Sequence, residues 1–342
     1  MTTNPIHPRA RRPVFVVGCH RSGTNLLYDT LLSAGGFAIY RGYLPVYKML
    51  IPRFGGLRRP SSRKKIVETW LKSKGFRRSG LDVQQLTTKL MAECRNGGDF
   101  IRIVMDEISR RQNVSRWAVY DPDNVLHMRR IKADLPDALF VHILRDGRDI
   151  ALSLKKMGGF TPFPWNRSAR SLPATALYWE WMVRAGREYG SQIPEDYLEI
   201  RYEDLISDPP GTLASVSQFL DHDLDFDRIQ SARLGRLREP NSSFLGEEEH
   251  IQPLNRWKQK MSREEIAQVE TVAGECLEES GYPLVTPKEE RRESLLDAWL
   301  RAAYPAFLST KLWLKLNTPL GRLTSLSELE LGEPDSQPSS AA

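Results

Sequence analysis

Short apolar runs alternate with segments of helical period along this chain. Pro13-Val14-Phe15-Val16-Val17-Gly18 is a run of apolar, mostly β-branched residues closed by glycine, and Leu26, Leu27, Leu31 and Leu32 then recur at helical spacing. Between them stand Cys19-His20-Arg21-Ser22-Gly23-Thr24-Asn25, so the pattern predicts a buried strand, a tight loop and a helix. Phe37 to Tyr40 reads as a second short strand. Trp117-Ala118-Val119-Tyr120 reads as a third, closed by the turn sequence Asp121-Pro122-Asp123-Asn124, and Ala138 to Leu144 is the clearest core strand. A last strand is expected over 197–202. Strands alternating with helices predict an α/β fold of three layers, a central parallel sheet with helices on both faces.

Residues 43–116 read as a mostly helical insertion with Gly and Pro breaks. Helices are further expected over 126–133, from Ile150, over 174–189 and over 211–220, with a mobile loop over 158–173 and an irregular charged stretch over 221–251. Ser262 with Glu265 three positions on forms a capping box for a helix ending at Gly281. The pattern then divides the chain into a flexible start (1–12), an α/β domain (13–285), an amphipathic helical extension (286–324) and a disordered tail (325–342). The aromatic stretch 295–316 is expected to pack on the domain or on a second subunit of a homodimer, with peripheral membrane contact as the alternative.

Composition adds little to this frame. A formal charge of +6 over 342 residues favours anionic ligands without naming one. The excess is local: Arg53 to Arg78 carries ten bases against Glu68 alone, either a field that focuses an anionic substrate or a solvated face. Cys19, Cys94 and Cys276 lie far apart without a CxxC pair, which suggests neither a disulfide framework nor a zinc site. No apolar run reaches the length of a membrane span, so a cytoplasmic protein is expected, with no metal and no nucleic-acid partner.

The first strand, loop and helix make a phosphate trap, because Gly18 and Gly23 let backbone N–H groups turn inward at a helix N-terminus. The glycine spacing matches that of nucleoside-triphosphate loops. Thr24, however, stands where their lysine belongs and Asn25 follows it, so the positive charge has moved to Arg21 and the Mg²⁺-binding hydroxyl position is lost. A second strand-to-helix junction, Arg145-Asp146-Gly147-Arg148-Asp149, follows the clearest strand.

These segments resemble the sulfotransferase superfamily that uses 3′-phosphoadenosine 5′-phosphosulfate (PAPS), in its bacterial and Golgi-like branch. Cys19 to Leu27 is similar to the 5′-phosphosulfate loop, with His20 for a frequent proline and Asn25 for Thr or Ser. Arg145 and Ser153 are similar to the 3′-phosphate pair, Arg201-Tyr202-Glu203-Asp204-Leu205 to a segment whose tyrosine lies near the nucleotide, and Asn255-Arg256-Trp257-Lys258 to one that closes over the donor. The resemblance covers about 13–285 and implies a P-loop-like fold and a sulfotransferase acting on a hydroxyl or amine of a carbohydrate, lipid or small molecule. It implies Arg21, Ser22, Gly23, Thr24, Asn25, Arg145, Ser153, Tyr202 and Arg256 as donor-binding residues, Arg21 also serving catalysis.

The sequence departs from that pattern where a base is needed. Tyr43 falls in the segment that often carries a glutamate, and Tyr120 at a frequent lysine position. Asp121, at a strand end, is the candidate proton acceptor, and a turn-forming role is its alternative. His20 is read either as touching the transferred group or as packing the loop, His127 as reaching the cleft and His142 as a core residue. Two other readings stay open: a non-catalytic PAPS-binding or scaffolding protein of the same fold, and a kinase-like phosphotransferase.

Overall fold

A computed structural model describes residues 8–157, 171–232, 254–291 and 293–332. Four parallel strands, β1 (Val14–Gly18), β2 (Ala118–Tyr120), β3 (Leu139–Leu144) and β4 (Tyr197–Arg201), form one sheet in the order β2-β1-β3-β4. In β1, Phe15 and Val17 face one core while Val14 and Val16 face the other, and all four are buried. A strand apolar on both faces must be covered on both faces, which gives the three layers.

Before β2 come α1 (Thr24–Ser33), α2 (Ile51–Phe54), α3 (Pro60–Leu71), α4 (Lys74–Ser79), α5 (Val83–Glu93) and α6 (Gly97–Arg111), the last five forming the insertion. A π-turn, Val46–Leu50, runs directly into α2. After β2 come α7 (Met128–Asp134), α8 (Gly147–Lys156), α9 (Leu172–Gly190), α10 (Tyr202–Ser207), α11 (Pro209–Leu220), α12 (Phe226–Ala232), α13 (Trp257–Lys260), α14 (Arg263–Glu279) and α15 (Leu295–Asn317). The Ser262 and Glu265 capping box opens α14 as the sequence implies.

Three expectations are corrected. Phe37 to Tyr40 is no strand: only a single bridge, Phe37 to Arg116, forms there, because Gly35 and Gly36, both at positive φ, turn the chain immediately before it. Residues 8–12 are tied down, since Arg9 and Arg12 pair with Asp196. The tail is ordered over 325–332: Ser327–Leu329 forms a 3-10 turn, Leu329 is buried, and the Gly332 N–H donates to the Lys72 carbonyl. The expected loop over 158–173 falls outside the described residues except for 171–173, where Ser171 caps α9 and 172–173 begin it. Most of 221–251 and all of 333–342 also lie outside them.

From β1 the chain leaves toward β2, and from β3 toward β4, on the opposite side. A crevice therefore opens at the carboxyl ends of β1 and β3, the place where open parallel sheets bind ligands. The extension packs on the domain: α15 buries Leu300, Tyr304 and Leu308 against neighbours that include α9 and α14, leaving Leu295, Trp299 and Trp313 exposed. No helix among the described residues is long and apolar enough to cross a membrane.

Candidate active site

The loop from β1 to α1 holds an uncommon backbone form. Arg21 sits at φ 74° and Gly23 at φ 100°, and a Cβ on residue 23 would lie 2.5 Å from the Tyr202 ring, so only glycine meets both demands. Ser22 is fully buried and its hydroxyl donates to the Cys19 carbonyl at 2.7 Å, closing the turn from inside. Thr24 is buried at the first position of α1, and Asn25 beside it is exposed.

A non-glycine residue in the left-handed region costs about 1–3 kcal/mol and persists only where its surroundings impose it. For Arg21 the second junction does so. Its Nε donates to Ser153 Oγ at 3.0 Å, and Arg145 Nη1 donates to the Arg21 carbonyl at 3.4 Å. The two junctions that the sequence marks separately are thus in direct contact.

Arg145 lies 4.4 Å from the centroid of the Tyr202 ring and 3.4 Å from Asp149 Oδ2. Asp149 Oδ1 accepts the Trp257 backbone N–H at 2.9 Å, which brings the segment around Arg256 onto the first turn of α8. Burial, then the fields of Arg145 and Arg256, lower the pKa of Arg21. Three guanidinium groups gathered at a loop and two helix N-termini concentrate positive charge there, an arrangement suited to anions. Among the described residues no cluster of His, Cys, Asp and Glu is arranged to hold a metal ion.

Beside the loop opens a cleft of ≈ 300 Å³ whose lining includes His20, Tyr43, Lys48, Tyr120, Asp121 and Glu328. Asp121, at the end of β2, is buried; its Oδ1 accepts the Asp123 N–H at 3.1 Å and its Oδ2 has no hydrogen-bond partner. Burial, reinforced by the charge of Asp123, pushes its carboxyl up to about 6. Burial opposes the charge of Asp123 as well, but His20 and Lys48 prevail there and hold its pKa well below the usual carboxylate range. His20 Nε2 lies 3.2 Å from Asp123 Oδ1, and Lys48 Nζ 2.7 Å from Asp123 Oδ2. The same Lys48 Nζ lies 2.7 Å from Glu328 Oε2, to which the Tyr43 hydroxyl donates at 3.1 Å.

The structure therefore brings Arg21, Ser153, Arg145, Tyr202 and the segment of Arg256 together, and sets Asp121 and His20 on the neighbouring cleft. His127 is buried, with burial pushing its pKa down to about 3, and His142 is a fully buried core residue bonded to the Tyr197 hydroxyl. Lys48, Asp123 and Glu328 were not among the residues singled out by sequence. A Lys48 on a π-turn breaks the helical period that would flag it, and Glu328 is 280 positions from its lysine partner.

The profile of the sulfotransferase family matches residues 13–227, well over half of the chain. The chain belongs to the sulfotransferase family. Solved structures resemble this sulfotransferase at low identity. The sulfotransferase domain of a Synechococcus olefin synthase is 15% identical, covering 90% of this chain and 98% of its own, with a TM-score of 0.47. The sulfotransferase domain of the curacin biosynthetic pathway is 16% identical over 64% of this chain and 77% of its own (TM-score 0.44). A Mycobacterium tuberculosis sulfotransferase is 20% identical over 65% and 70% (TM-score 0.39). A comparison with curated proteins finds no significant match.

Proposed function

We propose that this sulfotransferase takes its sulfuryl group from PAPS and passes it to a hydroxyl or amine of a carbohydrate, lipid or small-molecule acceptor. The observation that carries this reading is the convergence of Arg21, Arg145 and Arg256 at the carboxyl ends of two adjacent parallel strands. A donor with a 5′-phosphosulfate and a 3′-phosphate requires two neighbouring anion sites. The β1 loop with Thr24 and Asn25 takes the first and Arg145 with Ser153 the second, while Tyr202 and Arg256 flank the nucleotide. Thr24 in place of a loop lysine argues against nucleoside-triphosphate chemistry.

In this reading Arg21 stabilises the charge that builds on the bridging oxygen as the S–O bond breaks. The acceptor enters the cleft beside His20 and Asp121, where its proton must be taken up. Calorimetry with adenosine 3′,5′-bisphosphate tests the donor: binding at least tenfold tighter than that of adenosine 5′-monophosphate is expected. ATP with Mg²⁺ binding more tightly than the bisphosphate would overturn it. Transfer of labelled sulfate across an acceptor panel then separates an enzyme from a non-catalytic binder.

A further inference from the structure

We infer that His20 takes the acceptor's proton and that Asp123, Lys48 and Glu328 position it, so that the C-terminal segment completes the catalytic site. The inference rests on the sulfuryl-transfer reading above. The geometry is a continuous chain of contacts: His20 Nε2 to Asp123 at 3.2 Å, Asp123 to Lys48 at 2.7 Å, and Lys48 to Glu328 at 2.7 Å. Its first member directly precedes Arg21 in the loop and lines the cleft; its last comes from the far end of the chain.

Of His20 and the two carboxylates after β2, His20 is the one placed to accept a proton. Asp123 has both carboxylate oxygens engaged, one by a hydrogen bond from His20 and one by the Lys48 ion pair. Asp121 has one oxygen bonded to backbone, and the other is buried with almost no accessible surface. An imidazole that donates its Nε2 proton to a carboxylate is fixed as the tautomer whose Nδ1 carries the lone pair.

The step balances within these groups. The acceptor hydroxyl oxygen bonds to sulfur, and its proton passes to His20 Nδ1. The bond from sulfur to the bridging phosphate oxygen breaks, and its electron pair stays on the departing phosphate beside Arg21. After product leaves, the imidazolium gives its proton to solvent.

The charges around His20 come from several elements. Burial lowers its affinity for a proton, Asp123 and Asp121 after β2 raise it, and Lys48 from the π-turn lowers it again; the carboxylates prevail and its pKa is raised. Lys315 of α15 and Tyr178 of α9 lie within the field of Asp123. Glu328 acts through Lys48: its charge offsets the ammonium, so removing it strengthens the field of Lys48 at His20 and disfavours the imidazolium.

The test uses the full chain and two readouts. In the first, release of labelled sulfate from PAPS to water is followed against pH, with calorimetry on the bisphosphate as control. His20→Gln is expected to bind the bisphosphate within about threefold of the parent while release falls about 10²–10⁴-fold. Unchanged release in His20→Gln, or its loss in Asp121→Asn alone, would overturn the assignment. In the second, NMR follows the His20 ring through a pH titration without donor. Glu328→Gln is expected to move the His20 midpoint to lower pH by roughly a few tenths of a unit, and Asp123→Asn further; a midpoint unmoved in Glu328→Gln removes Glu328 from the chain. Failure of the parent to bind the bisphosphate would strike the donor reading instead, and the donor-free titration would still decide the network.

Discussion

At the scale of single residues, charge and burial decide what each group does. Arg145 braces the strained Arg21 carbonyl and stacks on Tyr202. Arg145→Ala should therefore weaken adenosine 3′,5′-bisphosphate by more than one lost contact, roughly 10- to 100-fold, since a charge-assisted bond contributes about 1.5–3 kcal/mol; calorimetry reads it directly, and an unchanged affinity would place the 3′-phosphate elsewhere. His142 shows the opposite case, a histidine kept neutral. Burial pushes its pKa down to about 4, and its Nε2 has no hydrogen-bond partner. Below pH 6.5 the unfolded chain takes up a proton here that the folded chain refuses, so the stability is full above that pH and is lost as pH falls toward 4, at about 1.4 kcal/mol per unit. His142→Gln should flatten the acid limb of urea midpoints between pH 7 and 5, and an unaltered limb would mean that other groups govern it.

Among elements, the second junction is clamped from outside. Arg148, near the start of α8, is buried, pairs with Asp146 at 2.8 Å and with Glu270 of α14 at 2.6 Å, and lies 3.8 Å from the Trp257 ring centroid. Arg148→Met leaves Glu270 buried with the Val285 and Thr286 N–H groups as its remaining donors among the described residues. Breaking a buried pair this way costs about 3–5 kcal/mol, and a thermal melt should show it; adding Glu270→Gln should restore part of the loss, which a chain weakened merely by lost packing would not do. The sequence makes much of this level legible. Strand, loop and helix at residues 14–33 are readable because apolar runs bounded by glycine admit few other structures, and Arg145 was readable because it follows the most apolar strand. Lys48, Asp123 and Glu328 were not, since their meaning lies in pairing across the chain and no local period reports that. The basic run from Arg53 to Arg78 misled in part: Arg63 is buried and donates to the Cys94 carbonyl, while Lys74 and Arg77 hold Glu330.

For the whole molecule, the family profile ends at residue 227, yet residues a hundred positions later line the cleft beside the loop. After α15 the chain turns at Gly321, where a Cβ would lie 2.4 Å from the Lys315 carbonyl oxygen, and crosses α2 and α4 to bring Glu328 to Lys48 and Glu330 to Lys74. The ion pairs at this arm involve half-exposed carboxylates, so solvent screens them and they contribute little to stability. Leu329, at 1% exposure, is the anchor, and a polar Ser- and Glu-rich stretch reads as disordered because a single leucine carries the docking. Leu329→Ala should cost the arm about 2–3 kcal/mol of docking. Leu329 joins the larger core, but it sits on an arm that follows α15 and lies outside the four strands, so the main thermal transition should move by less than about 2 °C, well below what 3 kcal/mol would shift in a core of this size. Cleavage at Glu328 and Glu330 by a glutamate-specific protease should rise instead, about 30- to 150-fold if it follows the undocked population. A melt that falls by several degrees with no change in cleavage would make the arm part of the folding core, and Glu328 would then be a structural residue that happens to touch Lys48.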